Sequence, residues 1–485
     1  MKKFAAFLLC AAVLALLCAP LQASDPNERD RFQRTKLMNA VTKGDLPKAK
    51  ELIAQGADVK LVDEDKMSAL CYAADRKRNA AEFVKILLDA GADPNHADRW
   101  SNTPLSRTLD PEVTALLAAK GANVNALVGR GMTQLFRAVD ENRADLAKVL
   151  LENGADINAF GNYGITPLCL AAGDEEKLPL AELLISKGAD VNARKDEKKW
   201  TPLARALYEG NIAAAKLLIE HGADVNLTVD GNWPVMFALA VSNEKLELTK
   251  LLLQKGAKLD VTNRKGETPF MVRSGKKCAT PEELQWMISQ GAVPGGTNKD
   301  GRSALFYAAK AHNADTVKFL ASLGIYDLNA RAKDGNTPLL QFMIEETKAD
   351  ELRQLMDLGC DPHALDNKGR GLMYRTAVRL ADAANEKNAE NPETAAKGKA
   401  KWENTLEVFN LLLQRGVSVN TQQNDGWTPL MWSTRMRAPL EVVQLMVNAG
   451  ADPGPVTPKG ESALTLAEVW CRPEVVEYLK QRVKN

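Results

Sequence analysis

Short runs of apolar residues recur along this chain, separated by glycines and polar turns, and residues 200–226 show the pattern most fully. Thr201 and Pro202 predict the start of a helix, because the threonine hydroxyl can cap free backbone N–H groups and proline fits the first helical position. Apolar side chains at helical spacing predict a first helix that ends at Gly210 and a second helix over 212–220. Isolated helices of only about two to three turns are marginal in water, so the core must form between neighbouring copies of this unit.

Two landmarks follow each other in a fixed order in these copies. Thr-Pro-Leu or a variant of it begins the first helix, as at 103–105 and 337–339, and Gly-Ala-Asp or a variant ends the second, as at 91–93 and 450–452. About a dozen copies recur at a spacing of about 33–35 residues, which is the period of a two-helix repeat.

This pattern resembles ankyrin repeats, and the resemblance covers the chain from about Phe32 onward. It implies an all-α fold, an ankyrin-like α-solenoid of about 12–13 helix-turn-helix repeats with short β-hairpin-like loops, continuous over residues 32–485. It also implies that a partner binds on the concave side, which the loops and the first helices form.

The position that follows the Leu of the first landmark departs from the family, which usually places His there. Other residues occupy it in these copies, namely Cys71, Ser106, Phe136, Cys169, Ala204, Met236, Met271, Phe306, Leu340, Tyr374, Met431 and Thr465. The hydrogen bonds between repeats that are attributed to that His must therefore be absent. We expect apolar packing to take their place.

One copy carries an insertion at about 380–402, which is rich in Ala, Lys, Glu and Asn and nearly devoid of large apolar residues. Because loop insertions cost little entropy, it could be a mobile or partly helical protrusion between the two helices of that copy. Alternatively it is a finger that touches the partner, since insertions in solenoids tend to lie on one face.

The first 23 residues have the features of a bacterial secretory signal peptide, with a basic start, an apolar run over 4–17 and small residues near Ala23. We expect residues 24–31 to be a linker and the protein to be exported, to the periplasm in the first place. Secretion from the cell and a lipid anchor at Cys18 are the alternatives. The apolar run is too short for a membrane span and no later stretch is longer, so we expect no membrane span.

The charge balance bears on which partners the chain binds, and the positions of the cysteines bear on whether disulfides form. Lys and Arg number 63 against 62 Asp and Glu, so we expect no nucleic-acid partner. After the leader, the cysteines fall in copies that are not adjacent, too far apart for the Cα separation of a disulfide. We therefore expect no disulfide among Cys71, Cys169, Cys278, Cys360 and Cys471.

The sequence contains few residues in arrangements that could carry out catalysis. The four histidines lie in separate copies, and the common nucleotide-binding, zinc and hydrolase motifs are absent from the sequence. Cys360 and His363 occupy the small-residue and Asn positions of an ordinary turn, which favours a structural role. We expect no catalytic, cofactor-binding or metal-binding residue. An enzyme with a hidden site near the insertion stays as an alternative of a different class.

Recognition is the function that remains. The concave positions that the resemblance implies are rich in aromatic residues and Arg, which dominate the energetic centres of interfaces. The candidate partner-binding residues are Phe160, Tyr163, Ile165, Lys198, Trp200, Tyr208, Glu209, Trp427, Arg435 and Arg437. Each ring could instead pack between neighbouring hairpins. We expect a monomeric, non-enzymatic interaction scaffold that binds another protein, or more narrowly an inhibitor or immunity-type binder of a secreted enzyme or toxin.

Overall fold

A computed structural model describes residues 25–127, 131–195, 200–229, 231–233, 246–343 and 347–483. The chain forms two compact units, residues 1–230 and residues 231–485. In both units the described residues form short helices joined by tight loops, with isolated β-bridges as the only extended pairing among them. The predicted all-α solenoid is confirmed. The predicted signal peptide and Cys18 lie outside the described residues.

Pairs of antiparallel helices build the first unit. Its helices are α1 Lys36–Lys43, α2 Leu46–Ala54, α3 Ala69–Ala74, α4 Ala80–Asp89, α5 Pro111–Ala119, α6 Gln134–Asp140, α7 Ala144–Glu152, α8 Pro167–Ala172, α9 Leu178–Ser186, α10 Pro202–Glu209 and α11 Ile212–Glu220. Single 3₁₀ turns lie at Leu105–Arg107, Asn162–Gly164 and Glu175–Lys177.

The second unit repeats this architecture. Its helices are α12 Leu246–Gln254, α13 Pro269–Ser274, α14 Pro281–Ser289, α15 Ala304–Lys310, α16 Ala314–Ser322, α17 Pro338–Phe342, α18 Ala349–Asp357, α19 Leu372–Lys387, α20 Pro392–Gln414, α21 Pro429–Arg435, α22 Leu440–Asn448, α23 Ala463–Trp470 and α24 Pro473–Val483.

The caps explain why the helices begin and end where they do. Thr201 accepts a hydrogen bond from the backbone N–H of Ala204 at 3.1 Å, and Gly210 closes the same helix in the left-handed conformation at φ 81°. Most of the described residues in the position where the family usually has His are buried, with Cys71, Cys169 and Ala204 fully enclosed, whereas Tyr374 is half-buried and Thr465 is exposed. Met236 lies outside the described residues. Apolar side chains thus fill the space between repeats there.

Asparagine side chains supply polar links between neighbouring repeats. The Asn125 side chain donates to the carbonyl of Gly154 at 3.1 Å, and its Oδ1 accepts from the backbone N–H of Asp156 at 2.7 Å. One amide therefore satisfies both a donor and an acceptor at the turn that ends the next repeat. The same arrangement recurs at Asn95, Asn192, Asn329 and Asn420.

The hairpin-like loops are joined to one another through the backbone. Lys299 N donates to the carbonyl of Lys265 at 2.9 Å, and Lys333 N donates to that of Asp300 at 2.8 Å. The predicted β-hairpin-like loops are thus linked along the array. The segment predicted as a linker takes part as well, because Arg29 bridges to Thr35 within the first such loop.

The insertion extends both helices of its copy rather than forming a loop between them. It lengthens α19 and α20 to 16 and 23 residues, which form an antiparallel helical hairpin. The hairpin also contacts the following repeat, since Lys387 Nζ lies 2.7 Å from the Glu441 carboxylate and the Asn385 side chain donates to the carbonyl of Met436 at 3.1 Å. It is therefore a packed part of the second unit.

Candidate functional site

Two of the predicted partner-binding rings lie together at the start and on the exposed side of α10. The ring centroids of Trp200 and Tyr208 are 5.0 Å apart, and the Arg205 guanidinium lies 6.0 Å from the centroid of the Trp200 ring. Arg205 is in turn held by Glu209 at 2.9 Å, one helical turn later. Tyr208 is 56% exposed. We call these four residues the α10 patch.

The loop before α8 presents a second group of predicted residues. Tyr163 is 81% exposed and adopts the left-handed backbone conformation at φ 62°, which is unusual for a bulky residue. Phe160 is exposed and Ile165 is partly buried, with its carbonyl accepting from Gly161 N at 3.0 Å. Among the described residues, no ring contact joins Tyr163 to Trp200. Lys198 lies outside the described residues.

The remaining candidates are engaged in contacts between repeats. The Trp427 ring lies 4.7 Å from that of Trp432, and its indole N–H donates to Glu461 at 3.2 Å. The guanidinium groups of Arg435 and Arg437 lie 4.1 Å and 5.5 Å from the centroid of the Trp470 ring. Arg435 and Arg437 are exposed, so they can still contact a partner. Trp427 is only half-buried and packs between neighbouring hairpins, which is the alternative given above for each ring.

Two aromatic residues beside these candidates were missed by the sequence-based selection. Tyr374 lies edge-on to Trp432 at 5.3 Å, so Trp427, Trp432 and Tyr374 form a continuous row of rings. Trp432 stands four residues after the helix-capping Thr428, at a position where other repeats also place large polar or aromatic side chains. That recurrence along the sequence is the signal that could have found it.

The helical hairpin borders a cleft in the second unit. One pocket of about 800 Å³ lies between α19, α20 and the start of α18. An adjoining cavity of about 500 Å³ shares Arg379 and Asp382 with it and reaches back to Asn336 on the preceding repeat. Burial, and secondarily the nearby Glu386, raises the pKa of Asp382 above that of an ordinary carboxyl.

Among the described residues, the cysteines and histidines do not lie together in one site. Burial raises the pKa of Cys169 to about 12 and that of Cys360 to about 11, which keeps both thiols protonated. His96 contacts the carbonyl of Lys66 at 2.7 Å, as a structural residue would. In the part of the chain that the structure describes, no group of His, Cys, Asp and Glu could hold a metal ion, and no helix is long and apolar enough to cross a membrane.

The sequence matches the family model for ankyrin repeats over most of its length. The matched segments are residues 5–98, 159–229, 235–331, 276–366 and 395–485.

Individual relatives match over shorter stretches. The chain is 30% identical to an ankyrin repeat protein of fowlpox virus over 28% of its own length, and 27% identical to the mouse B-cell lymphoma 3 protein homolog over 40%. These segments span 18% and 38% of the two relatives. The crystal structure of the ankyrin repeat domain of Bcl-3 aligns with 52% of the chain at 23% identity and a TM-score of 0.37.

Proposed function

Because this chain belongs to the ankyrin repeat family, we propose that it is a protein–protein interaction scaffold without enzymatic activity, which binds a partner protein on its concave face. Proteins built from such repeats generally serve as binding scaffolds. The residues that specify the repeat are buried, so the variable residues on the loops and first helices carry any specificity.

The α10 patch is the single observation that best supports a partner site. Tyr208 is more than half exposed, yet its ring packs on Trp200. Arg205 contacts the Trp200 ring in turn and is itself paired with Glu209. Aromatic and Arg side chains that are already held in place lose little entropy on binding. The exposed Tyr163 and Phe160 extend the proposed surface in the first unit, and the exposed Arg435 and Arg437 are separate candidates in the second.

We also propose that the protein is exported, that it works in the periplasm and that it is a monomer. The basic and apolar pattern of residues 1–23 supports export, and the near balance of charges gives no reason to expect a nucleic-acid partner. Cell fractionation tests the compartment, and light scattering over a range of concentrations tests the monomer.

Crosslinking in the native compartment followed by pull-down tests the proposed site. We expect wild type to capture a partner protein that the double variant Trp200→Ala, Tyr208→Ala loses. The matched control replaces Trp286 and Tyr478 by alanine, because these rings lie on the second helices α14 and α24 and do not belong to the α10 patch. Equal capture by wild type and the α10 variant would show that the proposed site is wrong.

A further inference from the structure

Aromatic rings occupy one equivalent position in the hairpin-like loops of the first unit. The turns of these loops span residues 30–34, 98–102 and 161–165, and in each turn the backbone N–H of the first residue donates to the carbonyl of the fifth at 2.9–3.0 Å. The third residues of these turns are Phe32, Trp100 and Tyr163. All three side chains are exposed, from 40% for Phe32 to 81% for Tyr163, so the rings meet solvent at the tips of the loops.

The same position is charged in the described turns of the second unit. Those turns begin at residues 263, 298, 332, 366, 423 and 457 and contain the same bond from the first N–H to the fifth carbonyl. Their third residues are Lys265, Asp300, Asp334, Lys368, Asp425 and Lys459, and all of these are exposed. A charged side chain is the common choice at an exposed tip, because it stays hydrated there. The fold of the loop therefore does not require the rings of the first unit.

The tips lie along one edge of the first unit. The Arg29 side chain donates to the carbonyl of Val62 at 2.8 Å, and Arg99 N donates to the carbonyl of Asp65 at 3.0 Å, which joins three consecutive loops. Asp65 holds the tip between the first two rings, so the rings come from alternate repeats. Because neighbouring helices pack about 8–10 Å apart, rings of alternate repeats are about 20 Å apart.

This wide spacing favours a flat lipid surface over a protein partner at the tips. The energetic centres of protein interfaces gather their rings in one well-packed place. Separate protruding rings suit the boundary between lipid headgroups and acyl chains, where the apolar body of a ring is buried and its polar edge stays hydrated. Tyr163 keeps its ring at the tip despite the left-handed backbone at φ 62°, and strain of this kind is typical of binding sites.

Arginines beside the rings match the phosphates of lipid headgroups. The Arg31 guanidinium lies 4.6 Å from the centroid of the Phe32 ring, and the Arg99 guanidinium lies 5.5 Å from that of the Trp100 ring. Both arginines are exposed, and a guanidinium has five N–H donors, so the ion pair of Arg99 leaves donors for a phosphate. The exposed Glu64 opposes this charge, so we expect the rings to carry most of the affinity.

We propose that Phe32, Trp100 and Tyr163, which we call the loop-tip edge, dock the first unit onto the surface of a phospholipid bilayer. The rings enter the boundary below the headgroups without spanning the bilayer, and Arg31 and Arg99 contact the phosphates. This inference goes beyond the protein binding proposed above and does not depend on it. Tyr163 belongs to both proposals, so the test uses the other two rings.

Co-sedimentation with vesicles tests the loop-tip edge on residues 24–485, which contain every described helix and leave out the apolar run at 4–17. The vesicles contain phosphatidylcholine and phosphatidylglycerol in equal parts. We expect wild type to bind, and the double variant Phe32→Ser, Trp100→Ser to bind about tenfold more weakly, because it loses the apolar area of two rings. The matched control is Val293→Ser, Ile325→Ser, since these exposed apolar residues lie outside the loop turns and should not affect binding. Circular dichroism checks that both variants fold.

Other results contradict the assignment. Equal binding by wild type and the ring variant, or no binding by wild type, would exclude the loop-tip edge as a lipid site. Binding that physiological salt abolishes would indicate adsorption by charge alone. Loss of the protein partner instead of vesicle binding in the ring variant would make the tips a protein surface. Partner capture is scored separately: if wild type binds vesicles but captures no protein, the scaffold function fails and the lipid inference stands.

Discussion

Gly398 of α20 packs directly against the backbone of Lys387 at the end of α19. A Cβ built at Gly398 would overlap the Lys387 backbone nitrogen, and the neighbouring Glu386 leaves no room either. Glycine is unfavourable inside a helix by about 1 kcal/mol relative to alanine, so its presence here follows from the close approach of the two helices.

Gly398→Ala should therefore destabilise the helical hairpin despite the better helix propensity of alanine. Overpacking costs about 1–3 kcal/mol, which the propensity gain offsets only in part. We expect faster amide hydrogen exchange in α19 and α20. Gly295→Ala is the control, because a Cβ at Gly295 meets no atom within 4 Å. Unchanged exchange in Gly398→Ala would mean that the helices are farther apart.

The asparagine links between repeats should contribute measurably to stability. Asn125→Ala removes the hydrogen bonds to Gly154 and Asp156 and leaves a turn donor and acceptor without protein partners. We expect the free energy of unfolding, measured by urea titration, to fall by about 1 kcal/mol. Asn153→Ala is the control, since the Asn153 side chain donates to the carbonyl of Val149 in its own repeat, and its loss should change stability less.

Tyr163 should be replaceable by glycine with a gain in stability. Its left-handed backbone at φ 62° is strained for a tyrosine, and a glycine adopts it freely. We expect Tyr163→Gly to raise the free energy of unfolding by about 1 kcal/mol and to weaken partner capture. Trp100→Gly tests the strain argument, because Trp100 holds the same loop position in another repeat without a positive φ. A gain in both variants would refute it.

Most of the fold could be predicted from the sequence, because the residues that begin and end each helix are adjacent to it in the sequence. The second helix of the unit at 200–226 was predicted over the residues that the structure assigns, Ile212–Glu220, since caps and glycines fix its ends. The extension of α19 and α20 into a helical hairpin could not be predicted in the same way. A run of Ala, Lys, Glu and Asn is compatible both with a loop and with an exposed helix. Only the extended packing of α19 on α20 decides between them.

The candidate site could be predicted only in part. Which residues are exposed follows from the repeat register, and Tyr163 and Tyr208 are exposed. The repeat register does not predict which rings contact one another. The contact of Trp427 with Trp432 and that of Arg435 with Trp470 depend on side-chain directions.

The hydrogen bond between Tyr72 and Asp63 should make the first unit sensitive to alkaline pH. Burial, and then the 2.5 Å hydrogen bond to the Asp63 carboxylate, raises the pKa of Tyr72 from 10.0 to about 12. The folded state therefore keeps a proton that the unfolded chain loses above pH 10, so stability is complete below that pH and falls as pH rises towards 12. Thermal melts across this range should show a smaller decline in Tyr72→Phe, which cannot ionise, than in wild type. Tyr208→Phe is the control, because Tyr208 is 56% exposed, and its pH dependence should match wild type. Parallel declines in wild type and Tyr72→Phe would mean that Tyr72 loses its proton in the folded state as readily as in the unfolded one.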